Sequence, residues 1–372
     1  MMGPELSNQV QQRREQTGLS RTELALRVGV SRQAIHSIEQ DRYIPNTLVA
    51  LKLAQVLGCR VEDLFQLHEA ASPTALWQGS TPPAEGGRVL LASVQGTLYA
   101  LPIPEEERFS TPADAFITLA ENRKITVQPL TEPALWENTL LVAGCDPALK
   151  MVASRLDTGR VIVQHHTSLD SLDLLREGKV HAAGIHLYDR TTGQFNTPYV
   201  QHSQIGPCTL FSLWHWQQGL LVQKGNPKNI TGLADLKRKE VRIINRPQSA
   251  GSKILLDALL EQQNIAAEQV QGYQTVATSH QDLARTITEG RADTGLAIQA
   301  VVTEQLDFIP LVQERFDLVV PDRFLSHPVL KKLLALLTTS QTRKNIQSLG
   351  GYDPTHAGEM YTAVPEPQGA SQ

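Results

Sequence analysis

No run of eighteen apolar residues occurs in the chain, and the opening MMGPELSNQVQQRREQ lacks the apolar core of a secretory signal. Neither a membrane span nor an exported precursor is expected. Cysteine is scarce: Cys59, Cys145 and Cys208 stand far apart with no paired spacing, which excludes a disulfide framework and a structural zinc site and fits a reducing cytoplasm. A P-loop, a CxxC pair, a Ser-His-Asp order and a metal triad are also missing, so no enzymatic site is expected. Positive charge is not in excess. The net charge is -4, so any contact with DNA must come from a local patch. What is present is ordinary globular protein, 372 residues with 41% apolar and 19% charged, enough for two or three domains with cores of their own.

Residues 6–65 read as five short helices. Leu6, Val10 and Leu19 bracket the first, which ends at Thr17-Gly18, glycine supplying the left-handed turn. Ser20 caps a second helix, RTELALRV, and Glu23 completes a capping box. Ser31 caps a third, RQAIHSIEQ, with Ile35 and Ile38 inward and Arg32, Gln33, His36 and Ser37 outward. Two helices joined at Gly29 make a helix-turn-helix whose second helix fits a major groove. The first 68 residues hold Lys52 and seven arginines against seven acids, a net charge of +1.

Residues 18–65, GLSRTELALRVGVSRQAIHSIEQDRYIPNTLVALKLAQVLGCRVEDLF, resemble the XRE, or phage-repressor-like, DNA-binding family without a gap, including the Ile-x-x-Ile-Glu, the Pro45 turn and the closing Leu64-Phe65. The resemblance implies Arg32 and Gln33 as base readers, with Ser31, His36 and Ser37 beside them. Arg42 and Asn46 would hold the phosphate backbone, joined by Arg21, where the family often has glutamine. Arginine forks onto guanine and glutamine onto adenine, each pair discriminating by roughly 1–3 kcal/mol. So small a patch binds one half-site weakly, and a homodimer or higher homo-oligomer reading two half-sites about 34 Å apart on double-stranded DNA is expected.

Next, QLHEAASPTALWQGSTPPAEGG reads as a linker, its lone Trp77 packing on a neighbouring surface. RVLLASV, GTLYALPI, AFITLA and KITVQPL read as strands of a small β unit, and EEERF as a solvated loop. The expected domains are a head at 1–68, a linker at 69–87, the β unit at 88–136, an α/β domain at 137–355 and a flexible tail at 356–372.

From Thr139 the pattern alternates. TLLVAG, VIVQHH, HAAGIHL, QQGLLV, VRIIN and TGLAI read as strands, with a long connection after HAAGIHL; CDPALKMVASRL, TSLDSLDLLREG, SAGSKILLDALLEQQN and SHQDLARTITEG read as helices. Such alternation predicts a parallel sheet flanked by helices, with ligands at the carboxyl ends of the strands. SLDSLDLLREGKVHAAGI and SHQDLARTITEGRADTGLA echo one another, which points to two halves. Asp146-Pro147, Ser168, Ser252 and Ser279 stand where helices begin, beside free backbone amides that together would hold an anion in a cleft. NRPQSAGSK, residues 245–253, is such a junction.

Residues 144–353, with GCDPAL, GIHLYDRTTGQFN, QQGLLVQKGNPKNITGLADL, NRPQSAGSK, GRADTGLAI and LGGYD, resemble the periplasmic-binding-protein-like domain attached to XRE-type regulators and to molybdopterin-biosynthesis proteins, related to molybdate-type solute-binding proteins. The resemblance implies a two-lobed clamshell of type-2 topology, lobe one at 139–215 plus 308–355 and lobe two at 216–307, with solute between them. The family's junction usually reads Arg-x-x-Gly-Ser-Gly-Thr-Arg. Here Arg246, Ser249, Gly251, Ser252 and Lys253 occupy those places, with Ala250 replacing a smaller or hydroxylated residue.

With these five, Asn245, Ser168, His186, Ser279 and His280 complete the candidate ligand set. Each has a plainer alternative: serines at helix starts cap, Arg246 suits a salt bridge between lobes, and histidines near strand ends are commonly structural. His165 and His166 are weaker candidates than His186. Asp146, Asp189 and Asp293 would repel an anion and are expected to cap or orient, while Trp214 and Trp216 are expected in the core rather than as an aromatic wall. The sequence thus predicts a multidomain protein: an all-α five-helix HTH head, a small β unit and an α/β clamshell. Its expected function is that of a cytoplasmic DNA-binding regulator with a small-molecule effector and no cofactor. Resemblance implies an oxyanion such as molybdate or tungstate; Arg246 and Lys253 suit a carboxylate or phosphorylated metabolite. A molybdopterin-related enzyme and a transport binding protein are the rival readings.

Overall fold

Strand β1 (Glu5–Asn8) leads into helices α1 (Val10–Gln16), α2 (Arg21–Val28), α3 (Arg32–Glu39), α4 (Thr47–Leu57) and α5 (Val61–Leu64), and β2 (Phe65–His68) returns antiparallel along β1. This computed structural model describes residues 5–68 and 72–362. The capping box at Ser20 and Glu23 is formed, and α2 ends at Gly29 with φ 80°. Val10, Leu24, Ile35, Ile38, Leu53 and Leu64 make the core of the head. One expectation fails there. Leu6 lies on β1 opposite Leu67, not on the first helix, because the chain before α1 is bound elsewhere: the Gln9 N–H donates to the Leu64 carbonyl at 2.8 Å, and the Asn8 amide to the Ile38 carbonyl.

Strands β3 (Thr74–Trp77), β4 (Arg88–Val94), β5 (Thr97–Pro102), β6 (Ala115–Glu121) and β7 (Lys124–Pro129) form a closed barrel in the order β3-β5-β4-β6-β7. Four were expected. The fifth, β3, lies inside the expected linker, with Ala75 and Trp77 buried and a parallel pairing to β5; four residues are too short a stretch for their alternation to stand out. Residues 69–71 of that linker lie outside the described residues. EEERF is a solvated turn with Phe109 97% exposed. The chain divides into two compact units, residues 1–74, 81–89 and 103–132, and residues 75–80, 90–102 and 133–372, the barrel strands being divided between the two.

The second unit continues through α6 (Pro133–Glu137), β8 (Thr139–Gly144), α7 (Pro147–Ala153), β9 (Arg160–His165), α8 (Ser168–Arg176), β10 (Ala182–Ile185), α9 (Thr197–His202) and β11 (Cys208–Gln223). Then come α10 (Gly251–Gln262), α11 (His280–Thr288), β12 (Thr294–Ile298), β13 (Leu306–Pro321), α12 (Pro328–Leu337), α13 (Ser340–Gln347), β14 (Tyr352–Asp353) and β15 (Met360–Thr362). The sheet order is β12-β11-β13-β10-β8-β9. Only β10, β8 and β9 are parallel; β11 and β13, 16 residues each, run antiparallel. The expected parallel sheet is therefore mixed. The expected long connection holds α9 and the Cys208–Leu213 part of β11, whose continuous burial removes the alternation that marks a one-faced strand; Trp214 and Trp216, whose alternation about His215 reads as a strand at the hinge, do lie on β11. VRIIN forms only the isolated bridges Ile243 to Thr294 and Asn245 to Val276.

Two lobes result. One core gathers β8, β9, β10 and the Cys208–Trp216 part of β11; Leu220, Leu221 and Val222 join the cores around α10, α11 and β12. The two long strands thread both lobes, with irregular register between Ser212 and Trp214 and between Gln218 and Gly219, where the sheet passes from one lobe to the other. The sequence echo is structural: α8 and α11 each turn through a left-handed glycine, Gly178 at φ 68° and Gly290 at φ 71°, into β10 and β12. Trp214 and Trp216 are core residues that pack on Phe316. The expected tail is strand β15 at Met360–Thr362, paired with β11, and its remainder, 363–372, lies outside the described residues. Among the described residues no helix is long and apolar enough to cross a membrane.

Candidate functional site

In the head, α3 exposes Arg32, Gln33 and His36 while Ile35 and Ile38 are buried beneath; Ser37 is half-buried and Arg42 exposed. Three expected contacts have structural work. Ser31 and Asn46 cap α3 and α4, their side-chain oxygens each accepting at 3.0 Å from the amides of Ala34 and Val49. Arg21 donates its Nε–H to Glu39 at 2.5 Å, and Arg14 donates to the other oxygen of the same carboxylate at 2.6 Å. Glu39 has no exposed side-chain surface, and a buried carboxylate needs such donors. Arg21 therefore ties α2 to α3.

In the second unit, the lobes meet where helices begin. The Leu169 N–H of α8 donates to the Ser249 carbonyl at 3.2 Å, and the Ser249 hydroxyl to Asp170 at 3.2 Å. Between the lobes lies a polar cluster built round Glu314 of β13, whose side chain is fully buried. Its Oε2 accepts from His186 Nδ1 at 2.9 Å, Trp216 Nε1 at 2.8 Å and Gln218 Nε2 at 2.8 Å. His186 Nε2 lies 3.3 Å from the Cys145 Sγ. Gln218 also reaches the Ser252 hydroxyl at 3.2 Å, which lies 3.5 Å from His280 Nε2.

Electrostatics in this cluster follow from burial and near neighbours. Burial opposes a charge on His186, but the Glu314 carboxylate and Cys145 outweigh it and push the imidazole up to about 10. Burial, with Arg246, His186 and His165 nearby, holds His280 well below its usual range. Asp146 is pushed up to about 6 by burial, against hydrogen bonds from Tyr352 and the Ala148 amide. Arg246 is 2% exposed, yet its Nε and Nη1 have no hydrogen-bond partner among the described residues. The same holds for His280 Nδ1, Gln218 Oε1, Glu314 Oε1 and Asp146 Oδ2. A buried guanidinium without an anion is costly. Here it marks a place where an anion would be stabilised.

Of the expected ligand residues, the fold brings together His186, Arg246, Ser252 and His280. The others serve the scaffold. Ser168 accepts from the His186 N–H at 3.1 Å, and Thr167 rather than Ser168 caps α8. Ser279 caps α11 through the Asp282 amide. Asn245 accepts from the Arg246 N–H at 2.9 Å and donates to the Tyr273 carbonyl at 3.2 Å, fixing the backbone. Lys253 turns to Asp257 one helical turn on and to the Tyr273 hydroxyl, both within 2.6 Å, leaving its ammonium spent. Ser249 and Gly251 join the lobes. Asp189 and Asp293 accept from the backbone amides of Thr192 and Arg242; His165 is exposed and His166 half-buried. Cys145, Trp216, Gln218 and Glu314 belong to the buried cluster but not to the expected set; the one signal for Glu314 was that it stands in the otherwise strand-like LVQERFDLVV. Beside the cluster, a cavity of about 760 Å³ is lined by Ala148 and Met151 of α7, Ala284 of α11, Val301 and Tyr352. Tyr352 donates to Asp146 at 2.6 Å and so links this cavity to the cluster.

Comparison with known proteins agrees with this division. The family described as PBP superfamily domain matches residues 149–338, and that described as helix-turn-helix matches 10–64. The chain is 34% identical over 226 residues to the uncharacterized protein YvgK of Bacillus subtilis (strain 168), covering 59% of this chain and 73% of that one. Over 64 residues, 17% of this chain and 97% of the relative, it is 38% identical to the HTH-type transcriptional regulator YgzD of the same organism. A putative phosphate ABC transporter substrate-binding protein from Clostridium perfringens superposes with a TM-score of 0.47 at 11% identity, over 58% of this chain and 99% of that one. The chain belongs to the PBP superfamily, with an XRE-type helix-turn-helix domain at its N-terminal end.

Proposed function

We propose that this chain is a one-component transcriptional regulator in which a small anionic solute, held between the lobes, changes the affinity of the helix-turn-helix head for an operator. The observation that carries the reading is Arg246, a guanidinium 2% exposed with two nitrogens unpaired among the described residues. A coupling of about 1–3 kcal/mol, or 5- to 150-fold in affinity, suffices for regulation. The working unit is a homodimer on two half-sites of double-stranded DNA, placed in the cytoplasm with its operator and needing no cofactor besides the effector.

A carboxylate-bearing metabolite is the favoured effector class. Arginine forks onto a carboxylate through two parallel N–H donors, and Arg246 has Nε and Nη1 without a partner among the described residues. Molybdate and tungstate, implied by family resemblance, are the competing arm. Operator protection by the full chain, measured with and without each of glyoxylate, pyruvate, phosphate, sulfate, molybdate and tungstate, tests the reading. One anion should change protection; no change with any of them refutes it.

A further inference from the structure

We propose that Cys145, His186 and Glu314 form a nucleophilic relay by which the inter-lobe site captures its effector covalently and reversibly, the effector class being a small carboxylate with an electrophilic carbonyl carbon. The geometry is that of an activated nucleophile: a sulfur 3.3 Å from one ring nitrogen of a histidine, and a carboxylate 2.9 Å from the other. Glu314 holds the imidazole in one orientation, and Trp216 and Gln218 hold Glu314. All three members of the relay are at most 6% exposed. The helix-start arrangement expected from sequence does not account for them, since none of the three serves as a cap or a backbone anchor.

This inference rests on the anion reading at one point only. Arg246 lies close enough to Cys145 to feel the sulfur's charge, and it would hold the carboxylate of the captured molecule. The step needs no oxidant. In the relay the proton shared by Cys145 and His186 rests on His186 Nε2, as the raised imidazole requires; the sulfur lone pair forms a bond to the carbonyl carbon, and the carbon–oxygen π bond breaks. Its electron pair moves to oxygen, which takes the proton from His186, giving a hemithioacetal or hemithioketal. The charged and titratable groups facing the sulfur's surroundings are His186, Glu314, Asp146, Tyr352, Arg246, His280 and, further out, Asp282 and His165.

The test uses the full chain, with iodoacetate and iodoacetamide at equal concentration near pH 7 and each cysteine followed by peptide mass spectrometry. Cys208, whose thiol burial pushes up to about 11, and Cys59, also raised by burial, are internal references. Cys145 should react about tenfold or more faster than Cys208, and faster with the anionic reagent than with the neutral one. Replacing Arg246 with methionine should abolish the preference for iodoacetate while keeping reaction with iodoacetamide. Cys145 labelling no faster than Cys208 by either reagent overturns the relay, even if anions bind. Loss of anion binding with Cys145 still reactive toward iodoacetamide overturns the anion reading and leaves the relay standing. His186→Gln should slow Cys145 labelling to the rate of Cys208, and labelling as fast as wild type overturns the relay; should that variant fail to fold, thiolate absorbance near 240 nm in wild type minus Cys145→Ser decides, excess absorbance at neutral pH supporting the relay and its absence overturning it.

Discussion

A Cβ added to Gly251 would fall 1.9 Å from the carbonyl oxygen of His186, so the first turn of α10 in one lobe rests on the strand end of the other. The obstacle is backbone, not the tip of a flexible side chain. Gly251→Ala must therefore push the lobes apart at this contact, at a cost of about 1–3 kcal/mol. Affinity for an anion held by the closed lobes should fall by about 5- to 150-fold, measured by calorimetric titration. Undiminished affinity would show that closure at this contact is not needed for binding.

Arg32 and Gln33 are exposed on α3 and bear no load in the head. Each alanine variant should lose roughly 1–3 kcal/mol of discrimination at one base pair while melting like the wild type. Gel-shift titration against operator and scrambled DNA measures this, and unchanged preference in both variants would remove them as readers.

Glu39 behaves oppositely. Arg14 and Arg21 both donate to its buried carboxylate, and removing that charge leaves the buried Arg14 with only the exposed Glu15 carboxylate at 3.2 Å. Glu39→Ala should destabilise the head by about 3–5 kcal/mol and weaken binding to all DNA sequences alike. Circular dichroism of helix unfolding checks it; a head as stable as wild type would contradict the pairing.

Asp146 gives a pH signature. Its carboxyl is raised from 3.8 to about 6, so the folded state binds the proton more tightly than the unfolded state. The stabilisation from this group is full below about 4 and lost as pH rises through about 6. Asparagine keeps the Oδ1 acceptor for Tyr352 and Ala148 without ionising. The stability of Asp146→Asn relative to wild type should therefore climb between pH 4 and 7, by up to about 3 kcal/mol at about 1.4 kcal/mol per pKa unit. A flat difference across that range, in denaturant titrations, would contradict the burial argument.

The head was legible because its signals are local: caps at Ser20 and Ser31, the left-handed Gly29, and apolar spacing at Leu24, Ile35 and Ile38 act within a few residues of one another. The same holds for the helix-to-strand echoes around Gly178 and Gly290. Strand β11 was only half legible, since burial on both faces leaves no period. At the site, the sequence pointed to helix starts, and most of those hydroxyls are caps, as at Ser279, or anchors, as at Ser168. The chemistry came instead from residues distant in sequence. Cys145 meets His186 because β8 runs parallel to β10, and Glu314 joins them because β13 runs antiparallel to β10; no spacing rule encodes those pairings. Lys253 was expected as a ligand cation from its place in the family's junction pattern, whereas its ammonium is paired with Asp257 one turn later on the same helix.

The central claim is that Arg246 receives an anion between the lobes, and thermal unfolding of wild type beside Arg246→Met, in the same set of anions, tests it most directly. At a hundredfold excess over its dissociation constant a bound anion stabilises by about 2.7 kcal/mol, roughly 5–10 °C for a domain of this size. At least one anion should produce such a shift in wild type and none in the variant, whose ligand-free form should be no less stable because an unpaired buried charge is gone. Equal shifts in both proteins, or none in wild type, would contradict the account.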